Sequence, residues 1–211
     1  MIVMTKTVTA QEMQMADQFT INTIGIPGMV LMERAALTLR DIIQDQFTHQ
    51  LSQVVVVAGS GNNGGDGLAL ARLLHLQKVP IKILNVGNPD HASQQHQSQD
   101  HICQYYQIPQ TRDLKILDQA SLIIDAIFGV GLDRPITGNY LTVINAINQA
   151  TAPVLAVDVP SGMNTDTGEI MGAAVQANMT VTMAFNKQGL TTASGQQLAG
   201  EVVIADDIGI Y

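Results

Sequence analysis

A run rich in glycine, asparagine and aspartate, Gly59–Gly67, carries the side chains that most clearly suggest chemistry. It follows four consecutive valines, and a run of this kind after a strand can aim free N–H groups of a helix start at a phosphate. The dinucleotide spacing Gly-x-Gly-x-x-Gly begins at Gly59, but taken alone that match is weak. A phosphate cradle has no need of Asn62, Asn63 and Asp66, so their side chains predict a polar site that hydrogen-bonds its ligand and can hold a cation. The alternative is a turn without a ligand.

The end of the next predicted strand argues against an ordinary dinucleotide-binding enzyme. Such enzymes place an acidic residue about 20 positions after the glycine-rich turn, where it binds the ribose. Here that strand ends in Asn85–Asn88, and Asp90 comes too late. An NAD-dependent dehydrogenase is therefore disfavoured.

Two later strand ends also carry carboxylates. Asp125 lies within an apolar strand, where it needs a metal or a polar partner such as a local turn or a buried amide. Asp158 ends another apolar strand and is followed by Ser161 on a turn. A Ser-His-Asp triad is not expected, because Val159 stands where a nucleophile elbow needs glycine. Asn63, Asp125 and Ser161 instead form a set of hard oxygen ligands that suits an alkali or alkaline-earth ion.

Lys187 follows a further strand at the same predicted edge. Two positions for it stay open, one facing the site and one capping the strand in solvent. Cys103 is the single cysteine, which excludes an intrachain disulfide, and its setting on a helix predicts a structural role.

Alternating strands and helices must position these residues. The capping-box pattern Thr9–Glu12 opens the first predicted helix. We predict helices over about residues 9–23, 28–46, 68–77, 90–107 and 140–149, and strands over 53–58, 81–86, 121–128, 153–159, 180–185 and 201–204. This order indicates an α/β fold in which helices cover both faces of a mostly parallel sheet, with two helices before the first clear strand. Residues 1–211 are expected to form one domain, with ligands at the carboxyl ends of the strands.

Composition narrows the function further. The chain has 10 Lys and Arg against 18 Asp and Glu, a formal net charge of -8, so nucleic-acid binding is not expected. No apolar stretch approaches about 20 residues and no signal pattern opens the chain, so neither membrane insertion nor secretion is expected. A cytoplasmic location follows as a prediction.

The motifs together resemble the NAD(P)H-hydrate epimerase family, the family of the YjeF N-terminal domain. The resemblance spans nearly the whole chain and is most specific in the block Gly61–Gly67. The further matching segments are Thr9–Met13, Gly25–Gly28, Leu31–Ala36, Asp125–Gly129, Gly131–Pro135, Asp158–Gly162 and Lys187–Leu190.

This resemblance implies a Rossmann-like α/β/α fold and a role in metabolite repair. The family interconverts the R and S epimers of hydrated NADH and NADPH (NADHX and NADPHX) for a partner dehydratase, with a potassium ion in the site. By position, the potassium ligands are Asn63, Asp125 and Ser161. The substrate-binding residues are Asn62, Asn63, Gly64, Gly65, Asp66, Gly129, Val130, Gly131, Leu132, Asp133, Arg134, Pro135 and Asp158. The dehydratase domain found in many relatives is not in this sequence, so a separate dehydratase is expected, unless the chain is cut from a longer protein.

Asp158 is the first candidate for the acid and base of the reaction, ahead of Asp66 and Lys187. The alternative is an interaction scaffold of the same fold. A homodimer is expected through the two N-terminal helices, because they carry more apolar surface than packing against one sheet edge would bury. The apolar residues are Ile21, Ile24, Val30, Leu31 and Met32.

Overall fold

The computed structural model describes residues 7–211 and is built on a seven-stranded sheet in which every pairing is parallel. The strands of the chain are β1 (Thr7–Val8), β2 (Val54–Ala58), β3 (Ile81–Asn85), β4 (Gln110–Thr111), β5 (Leu122–Ala126), β6 (Val154–Val157), β7 (Met179–Met183), β8 (Asn186–Lys187) and β9 (Glu201–Ala205). The large sheet has the order β4-β3-β2-β5-β6-β7-β9, while β1 pairs with β8 in a small parallel sheet. The predicted parallel α/β sheet is confirmed.

Six α-helices surround the sheet. They are α1 (Ala10–Phe19), α2 (Gly28–Gln46), α3 (Asn62–Leu76), α4 (Gln94–Tyr105), α5 (Gly138–Gln149) and α6 (Ala193–Ala199). No helix in residues 7–211 is long and apolar enough to cross a membrane.

Strand β2 shows why the sheet is covered on both faces. All five of its residues are buried, as expected for β-branched residues in a central parallel strand. Val54 and Val56 belong to the core on the side of α2 and α3. Val55 and Val57 belong to the core on the side of α5. The three-layer α/β/α arrangement is therefore confirmed.

The strand order reverses between β2 and β5. From β2 the chain runs outward through β3 to β4, and then returns to the other side of β2 at β5. In register, Val57 of β2 aligns with Asp125 of β5, which aligns with Ala156 of β6. The residues after these strands therefore lie side by side at one edge, and ligands bind in the crevice at such a reversal.

The N-terminal helices agree with the predicted pattern. Thr9 caps α1 in the predicted capping box with Glu12, and α2 has the predicted bounds. The prediction of spare apolar surface was wrong for Leu31 and Met32, which are buried, since α2 packs on the sheet layer. Exposed apolar side chains on these helices are Met15, Phe19, Ile24 and Val30.

The predicted start of α3 was wrong. The sequence places it at residue 68, but the helix begins at Asn62, so most of the glycine-rich run forms its first turns. Glycine and asparagine disfavour helix interiors, which explains the error, and close packing overrides that preference here. The short strands β1, β4 and β8 and the helix α6 are also absent from the prediction because each is too short for a periodic pattern.

Candidate active site

A cavity of about 710 Å³ opens at the carboxyl edge of the sheet, beside the reversal between β2 and β5. Ligand sites commonly have volumes of about 300–1,000 Å³. The structure brings most of the predicted site residues to it. Those lining the cavity are Asn62, Asn63, Asp66, Gly129, Val130, Gly131, Leu132, Arg134 and Asp158.

The N-terminus of α3 forms one wall of this cavity. Gly61 is the N-cap residue, and no side chain caps the helix. Gly61, Asn62 and Asn63 all line the cavity. The partial positive charge of a helix N-terminus attracts an anion, so this wall suits a phosphate group in an otherwise acidic protein.

Asp158 is held in a left-handed backbone conformation, with φ at 71°. Its Oδ1 atom is 2.6 Å from Lys187 Nζ and also accepts a hydrogen bond from Met183 N at 3.2 Å. Its other oxygen, Oδ2, points towards Gly129, since a Cβ atom placed there would lie 3.1 Å from it. A non-glycine residue in this conformation is characteristic of functional sites. Oδ2 is therefore the oxygen that can meet a ligand.

Lys187 faces the site and does not cap its strand in solvent. Its side chain is fully buried, and Nζ also donates to Met183 O at 2.6 Å. Burial lowers the pKa of Lys187, while the charge and hydrogen bond of Asp158 oppose that shift.

Asp125 and Ser161 form a buried hydrogen-bonded pair just beneath the cavity. Ser161 Oγ donates to Asp125 Oδ1 at 2.6 Å, and Ser161 N donates to Oδ2 at 2.8 Å. Ile127 N donates to Oδ1 at 3.3 Å, so both a local turn and a buried amide satisfy the carboxylate. Burial raises the pKa of Asp125 to about 6, opposed by these hydrogen bonds.

The oxygen atoms around Asp125 are of the kind that bind a hard cation. Within residues 7–211, its carboxylate receives hydrogen bonds from neutral groups and no ion pair. The carbonyl oxygen of Phe128 is 3.3 Å from Ser161 Oγ. Asn63 is buried, and its Nδ2 has no hydrogen-bond partner among the described residues. A buried carboxylate without an ion-pair partner, beside a hydroxyl and a carbonyl oxygen, is an environment that a hard cation would stabilise.

Asp66 and Asp17 place two more carboxylates on the cavity wall. Both are half-buried. Burial raises the pKa of Asp66 well above its usual range, and the negative charges of Asp158 and Asp17 raise it further. Burial also raises the pKa of Asp17.

Four residues of the expected substrate-binding segments do not line the cavity, namely Gly64, Gly65, Asp133 and Pro135. Gly64 is needed for packing against backbone, whereas Gly65 lies against the flexible side chain of Met32. A Cβ atom at Gly64 would lie 1.9 Å from Gly59 O, and one at Gly65 would lie 2.6 Å from Met32 Cε. Asp133 and Pro135 are exposed on the loop after β5.

Two segments that complete the cavity were not predicted from the sequence. Met13, Gln14, Asp17 and Ile21 come from α1 and the π-helical turn after it, and Ile208 and Ile210 come from the chain's C-terminal end. A π-helical turn at a helix end is a frequent mark of functional sites, but it cannot be identified from residue spacing.

Cys103 is fully buried in α4, and its Sγ lies 3.4 Å from Leu68 O. Burial raises the pKa of this thiol to about 12. The thiolate needed for nucleophilic chemistry is therefore scarce, and the predicted structural role is confirmed.

Comparison with known proteins shows the family to which the chain is related. Residues 28–189 match the family described as YjeF-related protein N-terminus. A Limosilactobacillus reuteri protein named NAD(P)H-hydrate epimerase is 61% identical over 206 residues, covering 98% of this chain and 97% of the relative. A Levilactobacillus brevis protein of the same name is 53% identical, covering 99% and 96%.

A solved yeast structure supports the fold. It superposes with a TM-score of 0.81 at 23% identity, covering 94% of this chain and 87% of the yeast chain. The family match over residues 28–189 and the near-full-length relatives show that the chain belongs to the YjeF-related N-terminus family.

Proposed function

We propose that this protein is an NAD(P)H-hydrate epimerase, an isomerase that interconverts the R and S epimers of NADHX and NADPHX. The observation that carries the proposal is the 61% identity to a relative of that name over nearly the full length of both chains. The cavity at the strand reversal gives the activity a location, because it combines a helix N-terminus with several carboxylates. A separate dehydratase that removes water from one epimer would complete the repair.

The cavity can accommodate the two chemically different parts of such a substrate. The pyrophosphate is anionic and suits the N-terminus of α3 and the guanidinium of Arg134, which both line the cavity. The hydrated ring needs groups that move protons, and Asp66 and Asp158 line the same cavity. We therefore assign substrate binding to the segments 62–66 and 129–135 together with Asp158, with Gly64 and Gly65 acting through packing.

The chemistry follows from the hydrated ring itself. The carbon that carries the hydroxyl is bonded to the ring nitrogen, whose lone pair can expel the hydroxyl and leave a planar iminium. Water then adds to either face, which interconverts the epimers. An acid must protonate the departing hydroxyl and a base must deprotonate the incoming water. The ion pair of Lys187 with Oδ1, which leaves Oδ2 near Gly129 of the cavity wall, supports the assignment of this work to Asp158.

Potassium is the cation that we assign to the buried oxygen set. Asn63, Asp125 and Ser161 would hold it, and its charge would compensate that of Asp125 beside the cavity. We expect potassium chloride to raise the thermal unfolding temperature in proportion to the logarithm of its concentration above the dissociation constant. Choline chloride at equal ionic strength is the control. An identical response to both salts, or an unchanged potassium response in Asp125→Asn, would contradict the assignment.

The assay for epimerisation uses the epimer that a stereospecific dehydratase leaves unconsumed. Adding the protein to this remaining epimer, with dehydratase and potassium present, should restore NADH absorbance at 340 nm (a property of reduced nicotinamide). Asp158→Asn should lower the rate about 100-fold or more, as expected for loss of a general acid or base. Asp118→Asn, at an exposed residue away from the cavity, is the matched control. A folded protein that consumes nothing would favour the scaffold function.

A homodimer is a further part of the proposal. The exposed apolar side chains of Met15, Phe19, Ile24 and Val30 support it, as they all lie on the two N-terminal helices or the turn between them. Light scattering of the wild-type protein and of a Phe19→Ser/Ile24→Ser variant tests it. Leu76→Ser, at an equally exposed residue on α3, is the control. A monomeric wild type would exclude the dimer. The cytoplasmic location and the single-domain organisation stay predictions.

A further inference from the structure

Three carboxylates from three different elements line the cavity. Asp17 comes from α1, Asp66 from α3, and Asp158 from the turn after β6. Their environments differ in one respect. Asp158 has the ammonium group of Lys187 at 2.6 Å, whereas neither Asp17 nor Asp66 makes an ion pair within residues 7–211.

Asp17 and Asp66 also lack neutral partners. Among the described residues, no group donates a hydrogen bond to either carboxyl, although both are half-buried. The other charged or titratable side chains that line the cavity are Arg134 and His91, and neither forms an ion pair with them. A carboxylate without donors in a cavity wall gains stability by keeping its proton.

The neighbouring charges act in the same direction. Two carboxylates that share a poorly solvated site do not both ionise readily, so one of them keeps a proton at a pH where an isolated carboxyl has lost it. Burial first, then the charge of Asp158, then that of Asp17, all raise the pKa of Asp66. The two negative charges therefore add to the effect of burial in favouring the acid form of Asp66.

We propose that Asp66 is the catalytic acid that protonates the departing hydroxyl, that Asp17 is a positioning residue that keeps Asp66 in its acid form, and that Asp158 is the base. This assignment rests on the proposed epimerase function. It gives the acid and base roles to two different carboxyls, where Asp158 alone would otherwise perform both. It also adds a residue of α1, which lies outside the matched residues 28–189, to the catalytic site.

The proton and electron balance is complete with these groups and water. The lone pair of the ring nitrogen forms the C=N bond while the C–O bond breaks, and the Asp66 proton joins the departing hydroxyl as water. A water molecule then forms a C–O bond on the opposite face, and the C=N electron pair returns to nitrogen. The proton lost by that water goes to Asp158 Oδ2. Proton exchange through water returns it to Asp66, and the reverse reaction uses the two groups in exchanged roles.

The first test measures kcat and KM with purified epimers, after subtraction of the rate without enzyme. Asp66→Asn should lower kcat by about 100-fold or more while KM changes little, since general acids contribute about 10²–10⁴-fold. Asp118→Asn should match the wild type. If Asp66→Asn is folded by circular dichroism and retains kcat within about threefold, Asp66 is not the acid.

The second test uses the pH profile of kcat, which separates positioning from structural support. Activity requires protonated Asp66, so it falls as pH rises through the pKa of that group. In Asp17→Asn one negative charge is lost, the pKa of Asp66 falls, and the alkaline limb must move to lower pH. Asp17→Glu retains the charge and should restore the limb. An unmoved limb in Asp17→Asn would overturn the role of Asp17, because a purely structural loss changes the height of the profile and not its position.

A readout independent of turnover separates this inference from the proposed function. Carboxyl carbon NMR of the wild type should show an aspartate resonance, missing in Asp66→Asn, that titrates above the usual range and moves down in Asp17→Asn. If the wild type turns over no hydrated cofactor, the epimerase proposal fails. The proposed effect of Asp17 on the protonation of Asp66 is then tested by this titration alone. If the resonance titrates in the usual range, this effect is refuted even in an active enzyme.

Discussion

Lys187 shows how a single residue links the stability of this protein to its chemistry. Its side chain is the largest of those fully buried, and its ammonium group makes an ion pair with Asp158, whose side chain is 11% exposed. A buried ion pair often contributes little to stability relative to an apolar replacement of both partners, but removal of one partner leaves an uncompensated charge. The pair therefore serves to fix the position of the Asp158 carboxylate.

The Lys187→Met variant tests this role. It leaves Asp158 without its cation, so the free energy of unfolding should fall by about 3–5 kcal/mol at neutral pH. The double variant Lys187→Met/Asp158→Asn removes both charges and should recover part of that loss. Urea unfolding followed by circular dichroism measures both values. Lys115→Met, at an exposed lysine, is the control and should change stability by less than about 0.5 kcal/mol. A loss below about 1 kcal/mol in Lys187→Met would show that the buried charge is not needed.

At the scale of elements, the packing of α3 against the strand ends determines the shape of the cavity. Gly59 and Gly64 bring the turn after β2 into direct contact with the first turn of α3, and Gly67 lies against Ala126 at the end of β5. A Cβ atom at Gly67 would lie 2.5 Å from Ala126 Cβ. Glycine is needed at Gly59 and Gly64 because backbone approaches backbone, and at Gly67 because side chains of the sheet approach the helix.

Gly64→Ala should therefore destabilise the protein by about 1–3 kcal/mol, as overpacking does, and towards the upper value because the contacted atom is a backbone oxygen. Gly131→Ala is the matched control, since a Cβ atom there would meet nothing within 4 Å. It should leave stability unchanged or raise it slightly. Thermal unfolding of the two variants measures the difference, and equal midpoints would contradict the proposed contact.

The elements that the sequence predicted well are those with long patterns. Neighbouring residues alone are enough to predict the four valines of β2 as a strand, the capping box at Thr9 as a helix start and the apolar run of β5 as a strand. Parallel pairing of the strands then brings Asp125 and Asp158 to one edge of the sheet. The start of α3 and the contribution of α1 to the cavity were not predictable in this way. Both depend on contacts between residues distant in sequence, which leave no periodic signal.

At the scale of the whole molecule, the C-terminal end of the chain packs against α2 and the π-helical turn after α1. Arg34 Nη2 donates to Asp207 O at 2.6 Å, and Tyr211 N donates to Thr20 Oγ1 at 3.0 Å. Ile208 and Ile210 of this end line the cavity. With a net charge of -8, the protein repels an anionic substrate at long range, so affinity must come from enclosure and from local donors.

Deletion of residues 208–211 tests whether this enclosure matters. The deletion removes one wall of the cavity and the donor to Thr20, but none of the groups assigned to the chemistry. We expect KM for the hydrated cofactor to rise by about 5- to 30-fold, equivalent to about 1–2 kcal/mol of binding, with a smaller change in kcat. Amide hydrogen exchange should also become faster in α1, since the π-helical turn that follows it loses its contact with Tyr211. Tyr211→Ala is the control, because it removes an exposed ring but retains the backbone donor, and it should stay within about twofold of wild type. If the deletion lowers kcat alone and leaves KM unchanged, the C-terminal end supports the catalytic groups and does not enclose the substrate.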